Sequence, residues 1–103
     1  MSRAALTLGA ALTLLTGMST SAHAASGLFI YREASSGSDI VWGDPANGVC
    51  APLTGGGATI VRNRTDTRAV LYSDQFCINQ SDVANPGDEL FFGGALPRSV
   101  QFG

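Results

Sequence analysis

The sequence has no lysine, one histidine (His23), one tryptophan and two cysteines, and charged residues fill only 14% of its 103 positions. Without lysine there is neither a Schiff-base nucleophile nor a Walker-type phosphate loop. His23 lies in the N-terminal segment, so removal of that segment leaves no imidazole for acid-base catalysis, a Ser or Cys triad, or a zinc site. Five arginines scattered beyond residue 24 stand against eight carboxylates, which is not the basic surface that nucleic acid requires. A helical signature is missing as well, because no apolar stripe of period 3.6 persists for three turns. No enzyme activity, cofactor, metal or nucleic-acid partner is expected.

What is present begins with a leader. Arg3, the small apolar run from Ala4 to Leu15, and Ala22-His23-Ala24 in the A-x-A cleavage pattern make residues 1–24 a signal peptide. The run is broken by Thr7, Thr13, Thr16 and Gly17, short of the roughly 20 apolar residues of a membrane span. Residues 25–103 are then a single secreted, extracellular domain without stable membrane insertion. Outside the cytoplasm, Cys50 and Cys77 are expected to pair, closing a loop of about 27 residues. Neither looks catalytic, since no His or Lys is present to depress a thiol pKa.

From Ser26 onward the chain alternates short apolar runs with turn residues, the pattern of an all-β protein. Eight strands are expected: 28–32, 39–42, 49–53, 59–63, 68–72, 80–83, 89–92 and 99–102. Between them lie Ser35-Ser36-Gly37-Ser38, Gly43-Asp44-Pro45, Gly55-Gly56-Gly57, Asn85-Pro86-Gly87-Asp88 and Gly93-Gly94, all suited to turns. Connections this short fit antiparallel strands. The halves also echo each other about 40 residues apart: Phe29-Ile30-Tyr31 with Val70-Leu71-Tyr72, Asp39-Ile40-Val41 with Asp82-Val83-Ala84, and Thr59-Ile60-Val61 with Ser99-Val100-Gln101. Two four-strand units, about 27–63 and 67–103, follow, stapled to each other by the disulfide. Neither unit alone buries enough surface to be stable.

Ile60-Val61-Arg62-Asn63-Arg64-Thr65, Val70-Leu71-Tyr72-Ser73-Asp74 with Cys77 after it, Asn85-Pro86-Gly87-Asp88 and Pro97-Arg98-Ser99-Val100-Gln101-Phe102-Gly103 carry a family resemblance. The chain resembles the small exported βγ-crystallin-like proteins of actinobacteria, grouped with the peptidase-inhibitor family typified by the Streptomyces metalloproteinase inhibitor. The resemblance is strongest over residues 58–103. It implies a βγ-crystallin-like sandwich of two Greek-key units. It also implies a signature: an aromatic on the first strand, a positive-φ residue in the folded hairpin, and a last-strand hydroxyl bonded back onto that hairpin. Tyr31, Gly37 and Thr59 match it in the first unit, and Tyr72, Asn79 and Ser99 in the second. Many relatives bind calcium through acidic or amide residues just before that hydroxyl. Here the stretches are Thr54-Gly55-Gly56-Gly57-Ala58 and Gly94-Ala95-Leu96-Pro97-Arg98, which lack such oxygens, so no calcium site is expected.

As a member of that family, the chain would block extracellular metalloproteases by a substrate-like loop, with Cys77-Ile78 as its disulfide-tied reactive pair. The archetype's second, short-range disulfide is absent. Ile78 has a competing placement in the core beside Cys77. Two further functions fit the same fold: a structural or stress-protective exported module, and a killer-toxin-like antimicrobial. A monomer is expected, with an extracellular peptidase as its candidate partner.

Overall fold

The computed structural model describes residues 24–103. The signal-peptide reading falls, but for Ala24, outside the described residues. All eight expected strands form: β1 (Gly27–Glu33), β2 (Asp39–Gly43), β3 (Ala51–Pro52), β4 (Ala58–Thr65), β5 (Ala69–Tyr72), β6 (Gln80–Ala84), β7 (Glu89–Phe91) and β8 (Ser99–Phe102). Among the described residues there is no helix. The strand alternation is legible in β1, where Phe29 and Tyr31 are buried while Leu28 and Ile30 turn outward.

The strands make two four-stranded sheets, ordered β2-β1-β4-β7 and β3-β8-β5-β6, with every pairing antiparallel. Three strands of each half stay together, and the third in chain order, β3 or β7, crosses to edge the other half's sheet. The echo between the halves is therefore structural, but the units are interlaced rather than side by side.

Phe29 of one sheet meets Phe102 of the other edge-on at 5.1 Å between ring centres, and Trp42 flanks Phe29 and Tyr31 at 5.6 and 5.4 Å. Val61, Leu71, Val100 and Leu53 complete the sealed core. Phe91 and Phe92 divide as alternation requires: Phe91 lies exposed on the outside, and Phe92 packs against the core.

β3 is shorter than the run 49–53 suggests. Pro52 has no N–H to extend the ladder, and Cys50 is drawn into a disulfide with Cys77. Because β3 has crossed over, that bond joins the two halves within one sheet. Asn63, buried on β4, secures the passage into β5. Its Nδ2 donates to the carbonyls of Thr67 (2.8 Å) and Ala84 (2.7 Å), and its Oδ1 accepts from the N–H and hydroxyl of Thr65.

Candidate functional site

Among the described residues the β5–β6 connection, Ser73 to Asn79, is tied by a dense set of hydrogen bonds. Its first acidic residue organises it. The Asp74 carboxylate accepts hydrogen bonds from the backbone N–H groups of Phe76 (2.8 Å), Ile78 (3.1 Å) and Asn79 (2.8 Å), closing the loop around a single side chain. Ser73 N–H donates to the Asn79 carbonyl across its neck. From the sheet beneath, the buried Ser99 hydroxyl donates to the Asp74 carbonyl at 2.6 Å and accepts from the Cys77 N–H at 3.1 Å. The disulfide to Cys50 fastens the loop on the β3 side.

This scaffold leaves two large apolar side chains in solvent. Phe76 and Ile78, on either side of Cys77, are each 73% exposed. The placement of Ile78 in the core is thereby excluded. The backbone that Asp74 and Ser99 hold in place leaves both side chains flanking Cys77 in solvent. The carboxylate cage constrains the loop beyond what its one disulfide provides. Phe76 had no signal in the pattern of strands, since a lone aromatic inside a turn looks like any stray apolar residue.

Two signature positions need revision. Positive φ in this hairpin belongs to Cys77, at 56°, and not to Asn79. Asn79 is instead the last link of the cage and passes directly into β6. In the first unit Gly37 takes the expected positive φ, at 70°. Thr59, however, reaches only the Arg32 carbonyl, at 3.5 Å, because a register shift at Arg32/Glu33 displaces it from the hairpin tip. The first hairpin is tied by another network. Thr54 and Ser36 donate to Glu33, and the buried Tyr31 hydroxyl bonds Thr54. The Gly55–Gly57 stretch lies against that hairpin, and at Gly57 a side chain would begin 2.8 Å from the Pro97 carbonyl.

The Asn79 N–H, joined by those of Phe76 and Ile78, holds the Asp74 carboxyl below the ordinary aspartate range. A depressed pKa means that the cage is fully present above the unfolded value of about 3.9 and is lost as pH falls through the lower folded value. An NMR titration should show the Asp74 carboxyl carbon with a midpoint below 3.9, and the amides of Phe76, Ile78 and Asn79 moving in the same step. Amides that stay still while Asp74 titrates would show that the carboxylate does not organise the loop.

No family model, curated protein or solved structure matches the chain. The site therefore has to be read from its own chemistry. Six other carboxylates serve as local acceptors: Glu33 as above, Asp39 from Arg32, Asp44 from the Gly27 N–H, Asp66 from the Ser26 N–H, Asp88 from the Asn85 N–H, and Glu89 from Arg62. The acidic residues 74, 82, 88 and 89 do not gather, and among the described residues no group of three or more His, Cys, Asp or Glu is placed to hold a metal ion.

Apart from the loop, the described residues form an apolar groove. It opens at the seam between β2 and β3, measures about 200 Å³, and is lined by Trp42, Pro45, Ala46, Val49, Ala51 and Phe102. Every one of these is apolar. Trp42 is thus half core residue and half cavity wall.

Proposed function

We propose that this is a secreted, non-catalytic βγ-crystallin-like protein that blocks an extracellular peptidase by inserting the Phe76–Ile78 tip into its cleft. The observation that carries the reading is the tip itself: two bulky apolar side chains held out in water by a backbone that has little freedom left to lose. A binding loop ordered beforehand avoids the entropic cost of ordering on contact. The exchange of third strands, the positive φ of Gly37 and the Ser99 bond onto its hairpin support the Greek-key half of the statement.

The mode of entry differs from that of an extended substrate strand. With Cys77 at positive φ the chain bends at the tip, whereas a strand added to a cleft needs β-region backbone throughout. The loop acts as a wedge with Phe76 on one side and Ile78 on the other. Residues 69–97 contain neither Arg nor Lys, so a pocket that selects for basic side chains finds no anchor. The loop suits an enzyme whose specificity pocket takes a large apolar residue, the preference of thermolysin-like metalloproteases among others.

The test is a titration of the purified, oxidised protein against thermolysin-like, subtilisin-like and trypsin-like enzymes. Stoichiometric inhibition of an apolar-selective enzyme is expected, with no effect on the trypsin-like one. Phe76→Ala and Ile78→Ala should each weaken it by about thirtyfold or more, as for central anchors of an interface. Because both side chains are exposed, neither change should alter stability by more than about 0.5 kcal/mol. A folded, oxidised protein that inhibits none of the three classes would refute the reading and leave a structural module or an antimicrobial of the same fold.

A further inference from the structure

Hydrolysis within the tip means breaking one of the peptide bonds between Gln75 and Asn79, whose nitrogens belong to Phe76, Cys77, Ile78 and Asn79. All of these N–H groups are already engaged inside the protein. Those of Phe76, Ile78 and Asn79 donate to the Asp74 carboxylate at 2.8, 3.1 and 2.8 Å, and that of Cys77 donates to the Ser99 hydroxyl at 3.1 Å. The same hydroxyl donates to the Asp74 carbonyl at 2.6 Å, so the two anchors are themselves joined. A peptidase that takes its substrate as an added strand pairs with the substrate's N–H groups as well as with its carbonyls. From Phe76 to Asn79 the loop has no N–H to give. Every peptide bond here is trans, so each carbonyl points away from the N–H of its own peptide unit. The carbonyls of Phe76, Cys77 and Ile78 therefore face away from Ser99 and Asp74.

We infer that Asp74 is the positioning residue that makes the tip a ligand of peptidases and not a substrate, and that the enzyme engages it through an apolar pocket for Phe76 or Ile78 and hydrogen-bond donors for the outward carbonyls. The inference rests on the peptidase reading for its partner. The carboxylate acts twice. Before any cut, laying the backbone along a cleft means giving up three bonds to a charged acceptor, each stronger than a neutral one. After a cut on the N-terminal side of Phe76, Ile78 or Asn79, water has left a carboxylate on one fragment and an ammonium on the other, and that ammonium stays against Asp74. Ends held together re-form their bond, with loss of water, far faster than free ends meet.

The test is prolonged incubation of the oxidised protein with an excess of a thermolysin-like and of a subtilisin-like enzyme, read by mass spectrometry for the addition of water and for the bond that takes it. The unaltered protein is expected to keep every bond from Gln75 to Asn79. Asp74→Ala should be cut there about a hundredfold faster or more, with the rest of the chain intact, and its inhibition should fade with time as it is consumed. Asp74→Asn keeps one acceptor oxygen without the charge and should fall between the two. Loss of the whole fold is told apart by cuts within β4 and β5 and by a lower urea midpoint, in which case Asp74→Asn carries the comparison. Cutting of the unaltered loop in a folded protein would overturn the inference. So would a folded Asp74→Ala variant as resistant as its parent. Resistance that disappears with Asp74 in a protein that inhibits neither enzyme would refute the peptidase reading alone and leave Asp74 as the guard of the loop against cutting.

Discussion

Replacing Cys50 and Cys77 together by serine is expected to lower the free energy of unfolding by about 3.5 kcal/mol, the chain-entropy value for a closed loop of this length. The bond spans 27 positions and joins two weakly held pieces. β3 contributes only Ala51 and Pro52 to the ladder with β8, and the loop 73–79 lies over the sheet beside it. In a domain of this size such an amount is a large share of the total stability. Urea unfolding of the oxidised protein and the double-serine variant measures it. A difference below about 1 kcal/mol would mean that β3 and the loop stay in place without the bond, and that the unfolded chain gains little freedom from its loss. Inhibition should suffer more than the fold does. The rest of the sandwich keeps its core after reduction, whereas Cys77 loses its lateral anchor and Phe76 and Ile78 regain motions that binding must then remove.

Asn63→Leu is expected to cost as much or more, about 4 kcal/mol, although the two side chains are similar in size. The amide satisfies four buried or part-buried groups at once: the carbonyls of Thr67 and Ala84 and the N–H and hydroxyl of Thr65. Leucine leaves those groups without their partner, and each buried polar group so stranded costs about 1–3 kcal/mol. Part of this is recovered because the Thr65 hydroxyl keeps its bond to the Thr67 carbonyl. Asn63→Asp is no remedy, since a carboxylate cannot donate to two carbonyls and is costly to bury. Thermal or urea unfolding gives the figure. A loss under about 1 kcal/mol would indicate that water enters the corner and takes over the bonds.

The strands were legible because their signal is local: alternating apolar residues with glycine, proline and asparagine at the ends. The disulfide was legible because two cysteines allow one pairing. The exchange of third strands has no local signature. Val49-Cys50-Ala51-Pro52 reads the same whichever sheet receives it, and only packing against Val100 and Phe102 settles the matter. The tip failed for a different reason. A glycine in a hairpin advertises positive φ, as Gly37 does, but in the second unit the conformation is forced on Cys77 by Ser99 below, Asp74 beside it and the bond to Cys50. No propensity would place a cysteine there. Asn79 looked suitable because asparagine tolerates that conformation, yet its N–H was needed by Asp74. The importance of Asp74 itself had one available clue, an aspartate at the mouth of a turn, where a carboxylate accepts N–H groups from the residues that follow.

The crossing of β3 and β7 also sets the order in which the molecule can form. A chain that emerges from its N-terminus has β1, β2 and β4 in hand after 65 residues, but the fourth member of that sheet, β7, ends at Phe91. β3 meanwhile has nothing to pair with until β8, which closes at residue 102. Neither half can be finished and set aside while the other is made. Contacts between residues far apart in the chain delay folding, because the loops between them must close before any reward is felt. The protein should acquire its structure late and all at once, and until then Cys50 has no fixed neighbour. Because two cysteines allow only this pairing, a bond formed early would close the 27-position loop in advance and shorten that search.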